Sequence, residues 1–184
     1  MTTFISILRG INLGGHNTVK MDALRKLFID LGFVNVQTYI QSGNVIYQSK
    51  KLEARKINQA IENNIKQKFG FDVPVITLTL EELIKIAKSN PFSKDKTRDT
   101  SFFHVTFLSD KPKVNDVNKI KENDFKPDEF KEIDKVIYLY CPNGYGRTKL
   151  SNSFFENKLK VSATTRNWKV TSELISIAKE MTQS

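Results

Sequence analysis

The apolar residues of this chain recur with two periods, one typical of strands and one typical of helices. Isoleucines at every fourth position from Ile57 to Ile65 form a helical stripe, and Gly70 follows where a helix commonly ends. Thr79 and Glu82 have the spacing of a capping box, which marks a helix start. The elements predicted for the first half are strand 4–9, helix 21–31, strand 34–41, strand 45–48, helix 57–69, strand 73–79 and helix 79–88.

The second half begins after a polar stretch, residues 93–101, which contains no apolar residue. Apolar residues from Phe103 to Phe107 alternate with polar ones, which predicts a strand with one buried face and places His104 outward. The spacing of Ser153 and Glu156 predicts a second capping box. The elements predicted here are strand 103–107, helix 114–120, a hairpin of strands 129–133 and 136–141, helix 153–159, strand 161–165 and a last helix to Met181 that Asn167 caps.

Both halves share the element order strand, helix, strand, strand, helix, strand, and each is followed by a further helix. This order is typical of the ferredoxin-like arrangement, an antiparallel sheet with helices packed on one face. The sequence therefore predicts an α+β protein built from two tandem ferredoxin-like units. The predicted boundaries are residues 1–90 for the first unit with its trailing helix, 91–101 for a polar joint, and 102–184 for the second unit with its C-terminal helix.

The net charge, the cysteine content and the lengths of the apolar runs limit the classes of protein to which the chain can belong. The 184 residues include 29 Lys and Arg against 20 Asp and Glu, a net charge of +9 that favours anionic partners. Cys141 is the single cysteine, which excludes an intrachain disulfide, and we interpret it as a small buried side chain. No apolar run approaches the length of a membrane span, and residues 4–8 are too short for the core of a signal peptide. A cytoplasmic protein without a membrane partner is expected.

The motifs of common cofactor sites do not occur in the sequence. The glycines near the N-terminus fit neither the P-loop nor the dinucleotide-binding spacing. His16 and His104 lack the spacing of metal ligands, and the candidate loops described next contain no paired carboxylates. Ser42 has no assignable base, which disfavours a covalent serine mechanism. No cofactor and no metal ion are therefore expected.

Three glycines, two asparagines and an arginine lie in one connection, Arg9 to Asn17, after the first predicted strand. Glycine is costly to order, so this composition favours a binding loop whose backbone N–H groups approach a ligand. In the predicted topology the turn from Gln41 to Asn44 lies at the same end of the sheet. The candidate ligand-binding residues here are Arg9, Asn12, Gly14, Gly15, Gln41, Ser42 and Asn44, and we expect them to border one concave surface.

The topology of the second half brings residues 142–149 and 164–168 to one end of its predicted sheet. Cations beside the helix N-termini at that end suit an anion, and Arg166 has the geometry to bind a phosphate or carboxylate bidentately. The structural alternative is a simple turn, with Asn167 as a cap and Trp168 in the core. The candidate ligand-binding residues here are Arg147, Lys149, Thr165, Arg166 and Asn167.

Three motifs in order, residues 8–15, 39–45 and 164–168, resemble a widespread bacterial family, the domain-of-unknown-function family numbered 1697. The resemblance covers essentially the whole chain. It implies family membership without an activity, because the family's name assigns none. The family's motif residues correspond here to Arg9, Gly10, Asn12, Gly14, Gly15, Ser42, Gly43, Asn44, Thr165, Arg166, Asn167 and Trp168.

Two classes of function remain open from the sequence. The first is a binding module, either for a phosphate-bearing or other anionic small molecule or for nucleic acid. Ferredoxin-like sheets do bind RNA, but residues 45–48 offer only Tyr47 where an RNA-binding strand carries several aromatic residues. The second is an enzyme that acts on a small anionic substrate, with the loops as an oxyanion or phosphate cradle. The sequence names no catalytic residue and leaves the oligomeric state open.

Overall fold

The computed structural model of the protein describes residues 1–50 and 53–183. The chain forms two compact units. The first unit consists of residues up to Lys85 together with the chain from Glu173 onward, and the second consists of Ile86–Ser172. Among the described residues, none of the helices combines the length and the apolar character that a bilayer crossing requires.

The first unit contains a four-stranded antiparallel sheet with strand order β2-β3-β1-β4. This order, with helices between β1 and β2 and between β3 and β4, is the predicted ferredoxin-like arrangement. The elements are β1 Thr2–Leu8, α1 Met21–Asp30, β2 Val34–Tyr39, β3 Asn44–Ser49, α2 Ala54–Phe69, β4 Val75–Thr79 and the start of α3 Leu80–Lys88.

The second unit repeats this topology with strand order β6-β7-β5-β8, again antiparallel throughout. The predicted α+β class with two tandem antiparallel sheets is therefore confirmed. The elements are β5 Phe103–Leu108, α4 Val114–Lys121, β6 Glu129–Ile133, β7 Val136–Tyr140, α5 Asn152–Leu159, β8 Ala163–Asn167 and α6 Trp168–Gln183.

Helices cover one face of each sheet, and the side chains of the central strands are buried on both faces. In the first unit, Phe4 and Leu8 of β1 pack into the core with residues of α1 and α2. Ile5 and Ile7 point to the opposite face, and both are also fully buried. The C-terminal helix contacts this opposite face, because Thr3 shares a hydrogen bond of 3.0 Å with the hydroxyl of Thr182.

The strand β5 is buried along its whole length, so the prediction of a single buried face was wrong. Its helix-facing side includes Leu108, and its other side includes Phe103 and Val105. His104, predicted to point outward, faces the helices, and its ring stacks on the ring of Tyr145 with centroids 4.8 Å apart. A polar residue in an alternating pattern can thus be buried when a ring from a neighbouring loop covers it.

The first predicted capping box is confirmed, and the second is wrong. Thr79 Oγ1 accepts a hydrogen bond from the backbone N–H of Glu82 at 3.2 Å, and the Glu82 carboxylate accepts one from the N–H of Thr79 at 2.7 Å. In α5 the cap is Ser151, whose hydroxyl accepts from the N–H of Phe154 at 3.2 Å. The helix begins before Ser153, so that serine lies inside the first turn rather than ahead of it.

The polar stretch 93–101, which the sequence predicted as part of a joint, packs against the strands of the second unit. It contains parts of two 3₁₀ turns, Pro91–Lys94 and Thr100–Phe102. The guanidinium of Arg98 lies 4.5 Å from the ring centroid of Tyr140 and donates to the Glu129 carboxylate at 2.9 Å. The compact units meet along the chain at Lys85 and at Ser172, so the last helix contributes its residues from Glu173 to Gln183 to the first unit.

Candidate functional site

The side chain of Asn12 holds the loop after β1 in its conformation. Its Nδ2 donates to the backbone oxygens of Val19 at 3.0 Å and of Gln41 at 2.8 Å, and its Oδ1 accepts from the N–H of Val19 at 2.8 Å. Asn12 also has a left-handed backbone, with φ of 55°, which asparagine tolerates better than most residues. The Asn12 amide therefore closes the loop on itself and joins it to the β2–β3 turn.

Gly14 and Gly15 form the tip of this loop. Their φ angles are 57° and 80°, both positive as in a type I′ turn, and the N–H of His16 donates to the carbonyl of Leu13 at 2.9 Å. The turn places Leu13 and His16 in solvent, and Leu13 is 58% exposed. The geometry of a two-residue hairpin explains why two glycines stand at these positions.

The turn between β2 and β3 is fixed by Asn44, which is fully buried. Its Nδ2 donates to the backbone oxygen of Tyr39 and to the hydroxyl of Ser42, both at 3.0 Å. Gly43 accepts a hydrogen bond of 2.8 Å from the N–H of Leu8, so the turn adjoins the end of β1 as predicted from topology.

The structure thus brings Asn12 to the turn that contains Gln41, Ser42 and Asn44, and it gives several of the candidate residues internal roles. Asn12 and Asn44 use both of their Nδ2 donors within the protein. Arg9 is half-buried beside Pro74, whose backbone oxygen accepts from the Arg9 N–H at 2.9 Å, and Gln41 is exposed. A ligand-binding role for this set stays a prediction.

Replacing Asn12 by alanine should lower the free energy of unfolding by about 2 kcal/mol, because three hydrogen bonds are lost and alanine disfavours a positive φ. Urea denaturation followed by circular dichroism measures the change. His16→Ala alters the exposed tip of the same loop and should leave the stability unchanged. Equal stabilities for the two variants would show that the Asn12 amide does not hold the loop.

The second group of candidate residues lies where β7 leaves its sheet and α5 begins. Arg147 and Lys149 are exposed in the connection between these elements. Among residues 1–50 and 53–183, neither forms an ion pair with a carboxylate. Ser151 caps the amide of Phe154. The amides of Asn152 and Ser153 have no acceptor in the described parts of the chain, as is usual in a first helical turn.

Thr165 and Arg166 are neighbours in β8, so their side chains lie on opposite faces of the sheet. Thr165 faces the helices, where its hydroxyl donates to Asn152 Oδ1 at 2.6 Å and shares a 2.7 Å hydrogen bond with Thr106. Arg166 faces the other way and is 8% exposed. Its Nη1 donates to Thr164 Oγ1 at 3.0 Å and to the backbone oxygen of Thr165 at 2.9 Å.

These positions change the expected grouping of cations. Side chains alternate along β8, so Arg166 points away from the face on which Tyr145 stacks on His104. Tyr145 lies two residues before Arg147 in the connection between β7 and α5. Asn167 caps α6 as predicted, because its Oδ1 accepts from the N–H of Val170 at 2.8 Å. The cap role leaves Asn167 Oδ1 engaged within the protein.

Lys169 belongs to this end of the second unit and was missed in the sequence. Lys169 is exposed in the first turn of α6, which follows β8 directly. The hydrogen bond between Asn152 and Thr165 joins the start of α5 to β8, so the first turns of α5 and α6 lie at the same end of the sheet. Within the described chain Lys169 forms no ion pair. The sequence contained a signal for Lys169, because this lysine follows the predicted helix cap Asn167 by two residues. A cation near a helix N-terminus is unfavourable without an anion beside it.

Positive charge is concentrated in this part of the chain. Residues 86–172 contain 17 Lys and Arg and 11 Asp and Glu, which gives a net charge of +6. Residues 142–172 contain six of those cations and one carboxylate, Glu156, and so carry a net charge of +5. A further carboxylate, Asp128, interacts electrostatically with the Cys141 thiol, which lies where the connection after β7 begins.

Burial sets the protonation state of two nearby groups, the His104 ring and the Cys141 thiol. Burial lowers the pKa of His104, so its ring is neutral at pH 7 and adds no charge to this end of the unit. Burial and the Asp128 carboxylate raise the pKa of the Cys141 thiol to about 11, which leaves it protonated at pH 7.

A family model described as Protein of unknown function (DUF1697) matches residues 1–138. The chain belongs to this family. The resemblance noted from the sequence is therefore confirmed at the level of the family. The DUF1697 match includes the first group of candidate residues and ends before the connection that carries Arg147 and Lys149.

One solved structure, described as the conserved bacterial protein SP0830 from Streptococcus pneumoniae, resembles this DUF1697 protein along nearly its whole length. The TM-score is 0.76 and the sequence identity is 23%, over 96% of this chain and 98% of that chain. At this identity the similarity shows the fold alone. No functionally curated protein matches the chain.

Proposed function

We propose that the protein binds a phosphate-bearing or other anionic small molecule at the end of its second unit. The observation that carries this proposal is the pair Arg147 and Lys149, exposed and without ion-pair partners in the described chain, directly before the N-terminus of α5. A helix N-terminus carries a partial positive charge, so cations beside it raise the electrostatic energy. An anion would relieve that repulsion and accept hydrogen bonds from the first-turn amides.

The surroundings of this pair favour the same ligand chemistry. Lys169 stands in the first turn of α6, and the hydrogen bond of 2.6 Å between Thr165 and Asn152 fixes the start of α5 against β8. A second helix N-terminus with its own cation therefore lies at the same end of the sheet. Two N-termini and three lysine or arginine side chains suit a ligand whose charge is spread over several oxygens.

Binding of nucleic acid is the less favoured alternative. RNA-binding ferredoxin-like domains stack bases on aromatic residues of an open sheet face. Here the central strands β1 and β5 have buried side chains on both faces, which argues against that mode. Catalysis is less favoured than binding, because the neutral His104 ring and the protonated Cys141 thiol are both buried.

Thermal melts in a phosphate series at constant ionic strength test the proposal. The melting temperature of the wild type should rise by about 3–6 °C when phosphate reaches about ten times its Kd, because only the native state binds the anion. The double variant Arg147→Ala/Lys149→Ala should lose most of this rise. Lys158→Ala/Lys160→Ala removes the same charge at the other end of α5 and should keep it.

Equal phosphate responses in both double variants would mean that the effect is general salt stabilisation, and the proposal would be abandoned. A titration with a single-stranded RNA oligonucleotide separates the alternative. Nucleic-acid binding weakens steeply with salt concentration, whereas a small-anion site responds less. Tight RNA binding with a steep salt dependence, together with no specific phosphate effect, would favour the nucleic-acid function.

A further inference from the structure

The segment between α3 and β5 buries two polar side-chain atoms that the described chain leaves without partners. Asn90 is 2% exposed, and its Oδ1 accepts a hydrogen bond from the N–H of Phe92 at 3.0 Å. Its Nδ2 is buried without a hydrogen-bond partner among residues 1–50 and 53–183, and so is the hydroxyl oxygen of Ser93. Buried polar groups in folded proteins are almost always hydrogen-bonded, so this pair requires an explanation.

The two atoms belong to one turn. Asn90 is the N-cap of the 3₁₀ turn Pro91–Lys94, and the N–H of Ser93 donates to the backbone oxygen of Asn90 at 3.2 Å. The cap residue and the residue three positions later are side-chain neighbours, as in a capping box. Ser93 is shorter than the Glu or Gln that usually occupies the later position, and its hydroxyl forms no hydrogen bond with the Asn90 cap.

The turn is held firmly against the sheet of the second unit. The ring of Phe92 lies 6.2 Å from the rings of both Phe103 and Tyr140, measured between centroids. Just before the turn, the hydroxyl of Tyr138 donates to the backbone oxygen of Ile86 at 2.8 Å. These contacts hold the residues on both sides of Asn90 against the rest of the second unit.

We propose that one internal water molecule bridges Asn90 Nδ2 and Ser93 Oγ. The water accepts a hydrogen bond from the amide and exchanges one with the hydroxyl, which satisfies both groups in a site that is polar on two sides. Ordering one water is less costly than leaving two buried polar groups unbonded. The water would join the two ends of the turn to each other, and this inference is independent of the proposed anion site.

A crystal structure of the full chain tests the inference directly. A water oxygen should lie within about 3.2 Å of both Asn90 Nδ2 and Ser93 Oγ. The inference is wrong if either atom bonds to another protein group, or if no ordered water contacts both.

Thermal melts give a second, independent readout. If the hydroxyl binds the water, Ser93→Ala should lower the melting temperature by about 2–4 °C, because the water loses one of its two partners. If the hydroxyl is truly unbonded, the same variant should leave the melting temperature unchanged or raise it, which would overturn the inference. Ser89→Ala, at an exposed position of the same segment, is the matched control and should have no effect.

Discussion

Replacing Arg166 by alanine is expected to lower the free energy of unfolding by about 3 kcal/mol, a large share of the stability of an ordinary domain. The residue is 8% exposed, and its Nη1 bonds to Thr164 Oγ1 and to the backbone oxygen of Thr165. Truncation leaves these acceptors buried without their donor and opens a cavity where the side chain lay. Urea denaturation followed by circular dichroism measures the loss.

Arg147→Ala is the matched control, because it removes the same charge from an exposed position in the same unit. Measured without phosphate, its unfolding midpoint in urea should be no lower than that of the wild type, because a cation beside a helix N-terminus does not stabilise the fold. Arg166→Lys keeps the charge but lacks the planar fork, so it should recover only part of the stability that Arg166→Ala loses. If Arg166→Ala proves as stable as Arg147→Ala, the guanidinium does not stabilise the fold, and the prediction that Arg166 binds a phosphate or carboxylate becomes the better explanation of its presence.

The fold could be predicted from the sequence because each half repeats the same order of elements, and residues typical of helix starts and helix ends mark the boundaries. The stripe from Ile57 to Ile65 and the helix end at Gly70 both occur in the structure, where Gly70 has a left-handed backbone. The burial of β5 on both faces could not be predicted. The alternation of apolar and polar residues shows which side chains are polar, but it does not show which other parts of the chain cover them. His104 is the example: a ring from Tyr145, 41 residues later in the chain, buries it.

The candidate site was only partly predictable, for a different reason. The sequence indicated that residues 142–149 begin beside the end of β8, and the strand register agrees, because Phe103 pairs with Tyr140 and His104 pairs with Asn167. The sequence prediction grouped Arg166 with Arg147, because both residues lie near that end of the sheet. In the structure, strand alternation turns the side chains of Thr165 and Arg166 to opposite faces. Convergence of backbone segments follows from topology, whereas convergence of side chains also depends on register.

Gly43→Ala is expected to destabilise the protein by about 3 kcal/mol or more, the second of the two largest effects. A Cβ at this position would lie 2.8 Å from Ile11 Cδ1 and 2.8 Å from Leu8 Cβ. Leu8 and Ile11 are both buried in the first core, so neither can move aside without disturbing its neighbours. The φ of 81° adds the strain of a left-handed backbone.

Two other glycines separate the contributions of crowding and backbone strain. Gly70 has a φ of 86° but open space around its Cβ position, so Gly70→Ala should cost only about 1 kcal/mol. Gly146 has open space and no left-handed φ, so Gly146→Ala should be neutral or slightly stabilising. The unfolding free energies should therefore rank Gly43→Ala lowest, then Gly70→Ala, then Gly146→Ala. If Gly43→Ala and Gly70→Ala cost the same, the close approach of the β2–β3 turn to the loop after β1 contributes nothing. The glycine between Ser42 and Asn44 would then be needed only for its backbone angle.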